Sequence, residues 1–119
     1  MAFEPRWTQE AEATFLELQR AAASSLKARD SSKRDRAGNA TKAAGLFKQV
    51  EKCARLLLDN PRHPGLHTHE FHSIEHAYEP DGKVFEAYVQ NRTPGAYRLF
   101  WCYGPEKGQI TIIAITPHP

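Results

Sequence analysis

The densest group of side chains capable of chemistry lies in residues 63–76, "HPGLHTHEFHSIEH", which contain five of the six histidines of the chain. Imidazole exchanges protons near neutral pH and is a common zinc ligand. Three interpretations are open on residue types alone. The stretch is a metal site, a catalytic surface that includes His67 or His69, or a surface strand with partly exposed imidazoles.

Backbone geometry separates these interpretations further. On a strand, His67 and His69 project to one side together with Phe71, and His72 projects to the other. On a helix, His72 and His76 would form an i, i+4 pair able to share a metal. Strong zinc sites combine closely spaced cysteines and histidines, and the cysteines of this chain lie elsewhere. We therefore expect no bound metal and no cofactor.

Length and composition indicate one globular domain spanning 1–119, with 40% hydrophobic residues. A formal charge of +2 permits an anionic partner without demanding one. Cys53 and Cys102 are far apart and lack a CxxC spacing, which indicates two reduced core thiols. The sequence contains no apolar run of about 20 residues and no secretory pattern at the N-terminus. A cytoplasmic protein without a membrane segment is expected.

Apolar residues at spacings of three and four predict two helices. The first covers roughly 8–29, with Thr8 as its N-cap. The polar stretch "DSSKRDRAGN" (30–39) is predicted to be a loop, and a second helix follows from about 40 to 59. Gly45 inside it either makes the helix less stable than alanine would, by about 1 kcal/mol, or marks a site of close helix–helix approach.

Short segments rich in β-branched and aromatic residues follow Pro64-Gly65, and turn residues separate them. In "YRLFWCY" (97–103) the odd-numbered residues share one face, and Arg98, Phe100 and Cys102 share the other. "ITIIAIT" is apolar on both faces, which is typical of a central strand, whereas "FEPRW" with Pro5 is typical of an edge strand. The predicted fold is α+β: a short N-terminal strand and an antiparallel helix hairpin packed on one face of a three- to four-stranded antiparallel sheet.

Three stretches in this order resemble the RelE/ParE superfamily of bacterial toxin–antitoxin toxins. "FEPRWTQEAEATFLEL" resembles the opening strand, cap and first helix of those toxins. "VEKCARLLLDNPRHPGLHTHEF" resembles the second helix and the entry into the next strand. "AYRLFWCYGPEKGQITIIAITPHP" resembles the ending, with its "YR" pair and terminal histidine. The resemblance implies a compact toxin that an antitoxin neutralises.

The resemblance also implies two different activities. RelE-like members cut mRNA, generally on the ribosome and without a metal. ParE-like members inhibit DNA gyrase and perform no chemistry of their own. We interpret the chain as the toxin of a type II system and as a metal-independent mRNA endoribonuclease that inhibits translation. A gyrase inhibitor, or a non-toxic protein-interaction or metal-binding domain of the same fold, is the alternative.

Metal-free RNA cleavage needs a base for the 2′-hydroxyl, cations for the phosphorane charge and an acid for the leaving oxygen. The resemblance assigns Arg98 to the phosphate and His118 to proton transfer, and Glu86 is a candidate base. An ion pair between Arg98 and Glu86 is the structural alternative. The chain departs from the family at Pro119, where several potent nucleases end in a tyrosine.

Further residues are candidates for binding the RNA substrate. Basic side chains suit phosphates, aromatic side chains suit bases, and imidazoles suit the cleft that holds Arg98. The simpler interpretation is that the charged residues are solvated at the surface and the aromatic residues pack within the strands. The expected partners are the antitoxin, mRNA and, as in RelE-like members, the ribosome, whereas the sequence does not specify an oligomeric state. The candidate binding residues are Arg92, Lys83, Tyr97, Tyr103, His67 and His69, with Tyr88 as a further tyrosine.

Overall fold

The computed structural model describes residues 2–30, 34–91 and 93–117, without the side chains of 25–41. Its elements are β1 (Glu4–Trp7), α1 (Gln9–Asp30), α2 (Arg34–Asp59), a 3₁₀ turn (Pro64–Leu66), β2 (His69–Phe71), β3 (Val84–Tyr88), β4 (Tyr97–Tyr103) and β5 (Gln109–Pro117). In these described parts, no helix is both long and apolar enough to cross a membrane.

The five strands form one mixed sheet in the order β1-β5-β4-β3-β2. Strands β2 to β5 are antiparallel neighbours, whereas β1 runs parallel to β5, with Glu4 opposite Gln109. The α+β prediction is confirmed, including the edge position of the Pro5 strand and the central position of the apolar β5. The parallel pairing of β1 completes the sheet at a sequence separation of more than one hundred residues.

The two helices lie beside each other as a hairpin, but the predicted loop between them is largely wrong. Helix α1 ends within one residue of the expected boundary, whereas α2 begins at Arg34 rather than near residue 40. Residues 34–39 of the polar stretch are therefore helical. Arginine and alanine are strong helix formers, so a polar composition argues against burial and does not argue against helix.

The main core lies between the helix hairpin and one face of the sheet. Helix α2 places Val50, Cys53, Ala54 and Leu57 against this face, and all four are buried. The sheet contributes the side chains predicted for that face of β4, together with alternate residues of β5. Burial of these apolar surfaces is the principal stabilising term. The residues from the sheet are Leu99, Trp101, Ile110, Ile112 and Ile115.

A second, smaller apolar cluster lies on the opposite face of the sheet, called here the outer face. It joins Val84, Phe100, Cys102, Ile113 and Ala114. Phe71 at the end of β2 and Ile74 in the segment that follows pack against it. The sheet is therefore apolar on both faces near β4 and β5.

Thr8 joins the start of α1 to an irregularity in β5. Its hydroxyl accepts the Ala11 N–H at 3.1 Å and donates to the Ile113 carbonyl at 2.7 Å. The β4–β5 pairing shifts register at this point, passing from Ala114 to Ile112 and leaving Ile113 unpaired. The predicted N-cap is confirmed, and it also satisfies a carbonyl at a β-bulge.

Substitution of Thr8 by valine, which keeps the shape and removes the hydroxyl, should lower the free energy of unfolding by about 1–3 kcal/mol. Urea denaturation measures this loss. Thr14→Val is the matched control, because the exposed Thr14 hydroxyl only bonds back to Glu10 one turn earlier. A Thr8→Val protein as stable as the control would contradict the role of the cap.

Gly45 of α2 is not a site of close helix–helix approach. Among the described residues, no atom lies within 4 Å of the position that a Cβ would take. Because alanine loses less backbone entropy than glycine in a helix, Gly45→Ala should raise the free energy of unfolding by about 0.5–1 kcal/mol. A lower midpoint of urea denaturation for this variant would show that the position needs glycine.

Candidate functional site

Arg98 and Glu86 form a buried ion pair on the outer face of the sheet. The Arg98 Nε lies 3.2 Å from Glu86 Oε1, and the two side chains are only 9% and 1% exposed. Arg98 Nη1 also donates to the carbonyls of Gln90 and Tyr97. The ion pair considered as the alternative to phosphate binding by Arg98 is therefore present. The β3–β4 hairpin holds the guanidinium from several sides.

The ring of Tyr88 covers this ion pair from the end of β3. The Arg98 Cζ lies 3.7 Å from the centre of the Tyr88 ring, a cation–π contact. His67 and His69 flank the same ring, with centroid distances of 5.1 and 5.8 Å. Tyr88 thus contacts His67, His69 and Arg98, and Glu86 joins them through its pairs with Arg98 and His69. These five residues are called here the Tyr88 cluster.

His69 connects the exposed side of the cluster to its buried carboxylate. His69 pairs with Glu86 across β2 and β3, and its Nε2 lies 3.4 Å from Glu86 Oε1. When its Nδ1 carries a proton, that nitrogen donates to the His67 carbonyl 2.9 Å away. The His69 side chain is 48% exposed, so an imidazole accessible to solvent stands beside a buried carboxylate.

The chain reverses direction immediately before β2, and this reversal places His67. The 3₁₀ turn ends at Leu66, and His67 caps it with a left-handed backbone and a φ of 49°. The strand therefore begins at His69 rather than before His67, and His67 reaches the Tyr88 ring from a turn. His69 and Phe71 share the outer face as predicted, His69 beside Glu86 and Phe71 against Phe100.

Two other histidines of the 63–76 stretch cap turns. His63 accepts the Gly65 N–H on its Nδ1 at 3.0 Å and begins the 3₁₀ turn. His76 accepts the N–H groups of Tyr78 and Glu79 on its Nδ1, both at 3.0 Å. These imidazoles organise the backbone, so their nitrogens are partly occupied by local structure.

The remaining histidine, His72, is exposed and lies 3.4 Å from a carboxylate oxygen of Glu70. Residues 72–76 are not helical, so His72 and His76 do not form the i, i+4 pair that a helix would have created. Within residues 2–30, 34–91 and 93–117, no group of three or more histidine, cysteine, aspartate or glutamate side chains is arranged to hold a metal ion.

Several predicted binding residues lie away from the Tyr88 cluster. Tyr97 packs against the main core on the helix side. Lys83 and Tyr103 lie at the other end of the β3–β4 pair, and Tyr103 is five residues from Arg98, about 17 Å along the strand. Arg92 and His118 lie outside the described residues. Their binding roles, and the proton-transfer role of His118, stay predictions.

The two cysteines are buried and free, as expected of core thiols. Burial raises the pKa of Cys53 to about 12. Burial raises the pKa of Cys102, although a backbone hydrogen bond at Ala77 partly opposes this and the charge of Glu79 adds a smaller increase. Because the thiolate is the reactive form, neither cysteine is suited to act as a nucleophile near neutral pH.

The arrangement of strands and helices matches solved toxin structures over almost its whole length. The YoeB/ParE toxin from Agrobacterium tumefaciens aligns with a TM-score of 0.59 and 10% identity, covering 98% of this chain and 99% of that chain. The YoeB dimer from Staphylococcus aureus aligns with a TM-score of 0.55 and 10% identity, covering 100% of both chains. This chain has the fold of the RelE/ParE toxins.

An archaeal RelE–RelB complex from Pyrococcus horikoshii OT3 shows the same fold, with a TM-score of 0.52, 10% identity and coverage of 98% of this chain and 96% of that chain. No family model and no curated protein sequence matches this chain. The RelE/ParE resemblance inferred from three sequence stretches is confirmed at the level of the fold. At such low identity the likeness describes architecture, and the activity has to be argued from the site.

Proposed function

We propose that this chain is the toxin of a toxin–antitoxin pair and that it cuts mRNA without a metal, in the cytoplasm. The observation that carries the proposal is the Tyr88 cluster, which joins an exposed imidazole to a buried carboxylate on a sheet of RelE/ParE type. The RelE–RelB complex has a protein partner, and a protein antitoxin is proposed for this chain by analogy.

In this mechanism His69 takes the proton of the 2′-hydroxyl. With its Nδ1 proton donated to the His67 carbonyl, the half-exposed imidazole accepts the new proton on Nε2, which lies 3.4 Å from Glu86 Oε1, and proton transfer near neutral pH suits an imidazole. The imidazolium that forms lies beside the Glu86 carboxylate, which stabilises its charge. Glu86 was the candidate base on sequence grounds, but its burial makes it a positioning residue that acts through His69.

Arg98 has a supporting role in the same mechanism. Its guanidinium is engaged by Glu86, by two backbone carbonyls and by the Tyr88 ring, so it holds Glu86 in place for His69. We propose that Arg92 provides positive charge for the phosphorane and that His67, exposed beside Tyr88, donates a hydrogen bond to it. His118 follows β5, whose Thr116 pairs with Arg98, and is proposed as the acid that protonates the leaving oxygen.

One observation favours the alternative, a ParE-like inhibitor of DNA gyrase. The buried Arg98–Glu86 pair is also what a purely structural hairpin would contain, because an engaged guanidinium is not available to bind phosphate. Under this alternative, the protein should inhibit supercoiling by gyrase in vitro, and His118→Ala should inhibit equally well. The endoribonuclease hypothesis predicts neither inhibition of supercoiling nor an unchanged effect of His118→Ala.

The experiment that tests the proposal is induced expression followed by primer extension on cellular mRNA. The purified protein is then tested on mRNA with and without ribosomes in the presence of EDTA. We expect growth arrest and new mRNA ends that persist with the chelator. Harmless expression and uncut mRNA under both conditions would refute the proposal.

A further inference from the structure

A second concave surface lies on the helix side of the β3–β4 pair, separate from the ion pair. This cleft has a volume of about 560 Å³, which is within the range of small-ligand sites. The segment from Pro61 to Thr68 forms one wall, and aromatic side chains of β3 and β4 form the floor. It is called here the aromatic cleft, and its floor consists of Phe85, Trp101 and Tyr103.

The three rings of the floor support one another. Phe85 and Trp101 stack with centroids 4.8 Å apart and an angle of 28°, and Tyr103 meets the edge of Trp101 at 5.0 Å and 80°. Trp101 is buried, whereas Tyr103 is 44% exposed. The cleft therefore offers a rigidly backed aromatic ring to the solvent, the kind of surface on which an unpaired base stacks.

The wall opposite these rings is held by local hydrogen bonds and carries basic side chains. The N–H groups of Arg62 and His63 bond to the side chain and carbonyl of Asn60 at 3.0 and 2.9 Å. The Thr68 hydroxyl bonds to the Pro61 carbonyl at 3.3 Å. Because the described lining includes Arg62 and histidines but no acidic residue, its charge complements a phosphate group.

A polar atom in the floor also lacks a partner. Trp101 lines the cleft, and its indole Nε1 is buried without an acceptor among the described residues. Buried N–H groups in folded proteins are almost always paired, so this donor is an exception among the described residues, although its burial leaves it no surface open to the cleft. The aromatic floor and the basic wall together fit a nucleotide better than an apolar ligand.

We propose that the aromatic cleft binds one unpaired base of a single-stranded RNA, with the base on Tyr103 and the adjoining phosphate near Arg62. His67 lines the cleft and also contacts Tyr88, so the cleft adjoins the Tyr88 cluster. In this proposal the RNA strand cut beside His69 on the outer face passes His67 and reaches the aromatic floor on the helix side. The choice of RNA as the ligand rests on the proposed function.

Fluorescence anisotropy with a labelled 2′-O-methyl hexanucleotide tests this inference, because that RNA binds but cannot be cut by its own 2′-hydroxyl. Tyr103→Ala should weaken binding about tenfold, whereas Tyr103→Phe, which keeps the ring, should bind within about twofold of the wild type. Tyr78→Ala is the matched control, since Tyr78 is 48% exposed and lies outside the cleft.

Salt dependence tests the phosphate contact separately. Arg62→Ala should reduce the slope of log affinity against log salt by about one, whereas Arg6→Ala, on the strand at the opposite edge of the sheet, should leave it unchanged. The same slope for Arg62→Ala and wild type would overturn the phosphate contact and with it the proposed orientation of the nucleotide.

The outcomes also separate this inference from the proposed function. Failure of the wild type to bind the hexanucleotide, or equal binding by Tyr103→Ala, would overturn the inference even if the protein cuts mRNA. Binding that depends on Tyr103 in a protein that cuts no mRNA would support the cleft and refute the endoribonuclease.

Discussion

Replacement of Glu86 by alanine is expected to lower the free energy of unfolding by about 3–5 kcal/mol. The substitution leaves the Arg98 guanidinium buried without its carboxylate, and an uncompensated buried charge is among the most destabilising changes in a protein. Both side chains are less than a tenth exposed, so water replaces the lost contact poorly. Urea denaturation followed by far-UV circular dichroism measures the loss.

Two further variants show whether the pair is the cause. Glu70→Ala removes an exposed carboxylate from the neighbouring strand and should change stability by less than about 0.5 kcal/mol. The double variant Glu86→Leu, Arg98→Met removes both charges and should regain most of the stability lost by Glu86→Ala. An equally large loss in the double variant would assign the effect to packing rather than to the unpaired charge.

Substitution of His69 by glutamine should lower the single-turnover rate of mRNA cleavage by about 10²–10⁴-fold. Glutamine keeps polar atoms near Glu86 but cannot take the 2′-hydroxyl proton near neutral pH. Because His69 is half-exposed, the variant should fold and leave the free energy of unfolding nearly unchanged. Quantified primer extension at saturating protein measures the rate.

His72→Gln is the control for this prediction. His72 lies three residues further along the chain, is exposed and approaches only the exposed Glu70 in the described structure. Its substitution should leave the cleavage rate within about twofold of the wild type. A folded His69→Gln protein that cuts at the wild-type rate would remove His69 from the mechanism.

Periodicity was sufficient to predict most elements of this fold. The alternation in "YRLFWCY" placed Arg98 and Phe100 on the face opposite Trp101, because successive strand residues point to opposite sides. The start of α2 was missed because solvated arginines suit a helix as well as a loop. The parallel pairing of β1 with β5 depends on tertiary contacts between the chain ends, which local periodicity does not encode.

The sequence predicted which residues form the candidate site better than it predicted what each of them does. Arg98, Glu86, His67 and His69 were all candidates, and the structure brings them together around Tyr88. The burial of the ion pair could not be read from residue types, since a strand-end arginine is exposed or buried according to what covers it. That burial changes the proposed base from a carboxylate to an imidazole.

The turn at Pro64-Gly65 was expected from the sequence, but the left-handed residue that follows it was not. A strand was expected from Leu66 onward, but the left-handed backbone of His67 delays it to His69. A non-glycine residue with positive φ is uncommon, and nothing in "GLHTH" signals it. The same turn forms the wall of the aromatic cleft, so the cleft could be found only from the three-dimensional structure.

The chemistry of the cut RNA ends tests the central claim most directly. The purified protein is incubated with mRNA, and ribosomes if required, in EDTA, and the 3′ ends of the products are identified by mass spectrometry. Attack by the adjacent 2′-hydroxyl predicts a 2′,3′-cyclic phosphate and a 5′-hydroxyl on the two fragments. Fragments with a 3′-hydroxyl and a 5′-phosphate, or no fragments, would contradict the metal-free mechanism around the Tyr88 cluster.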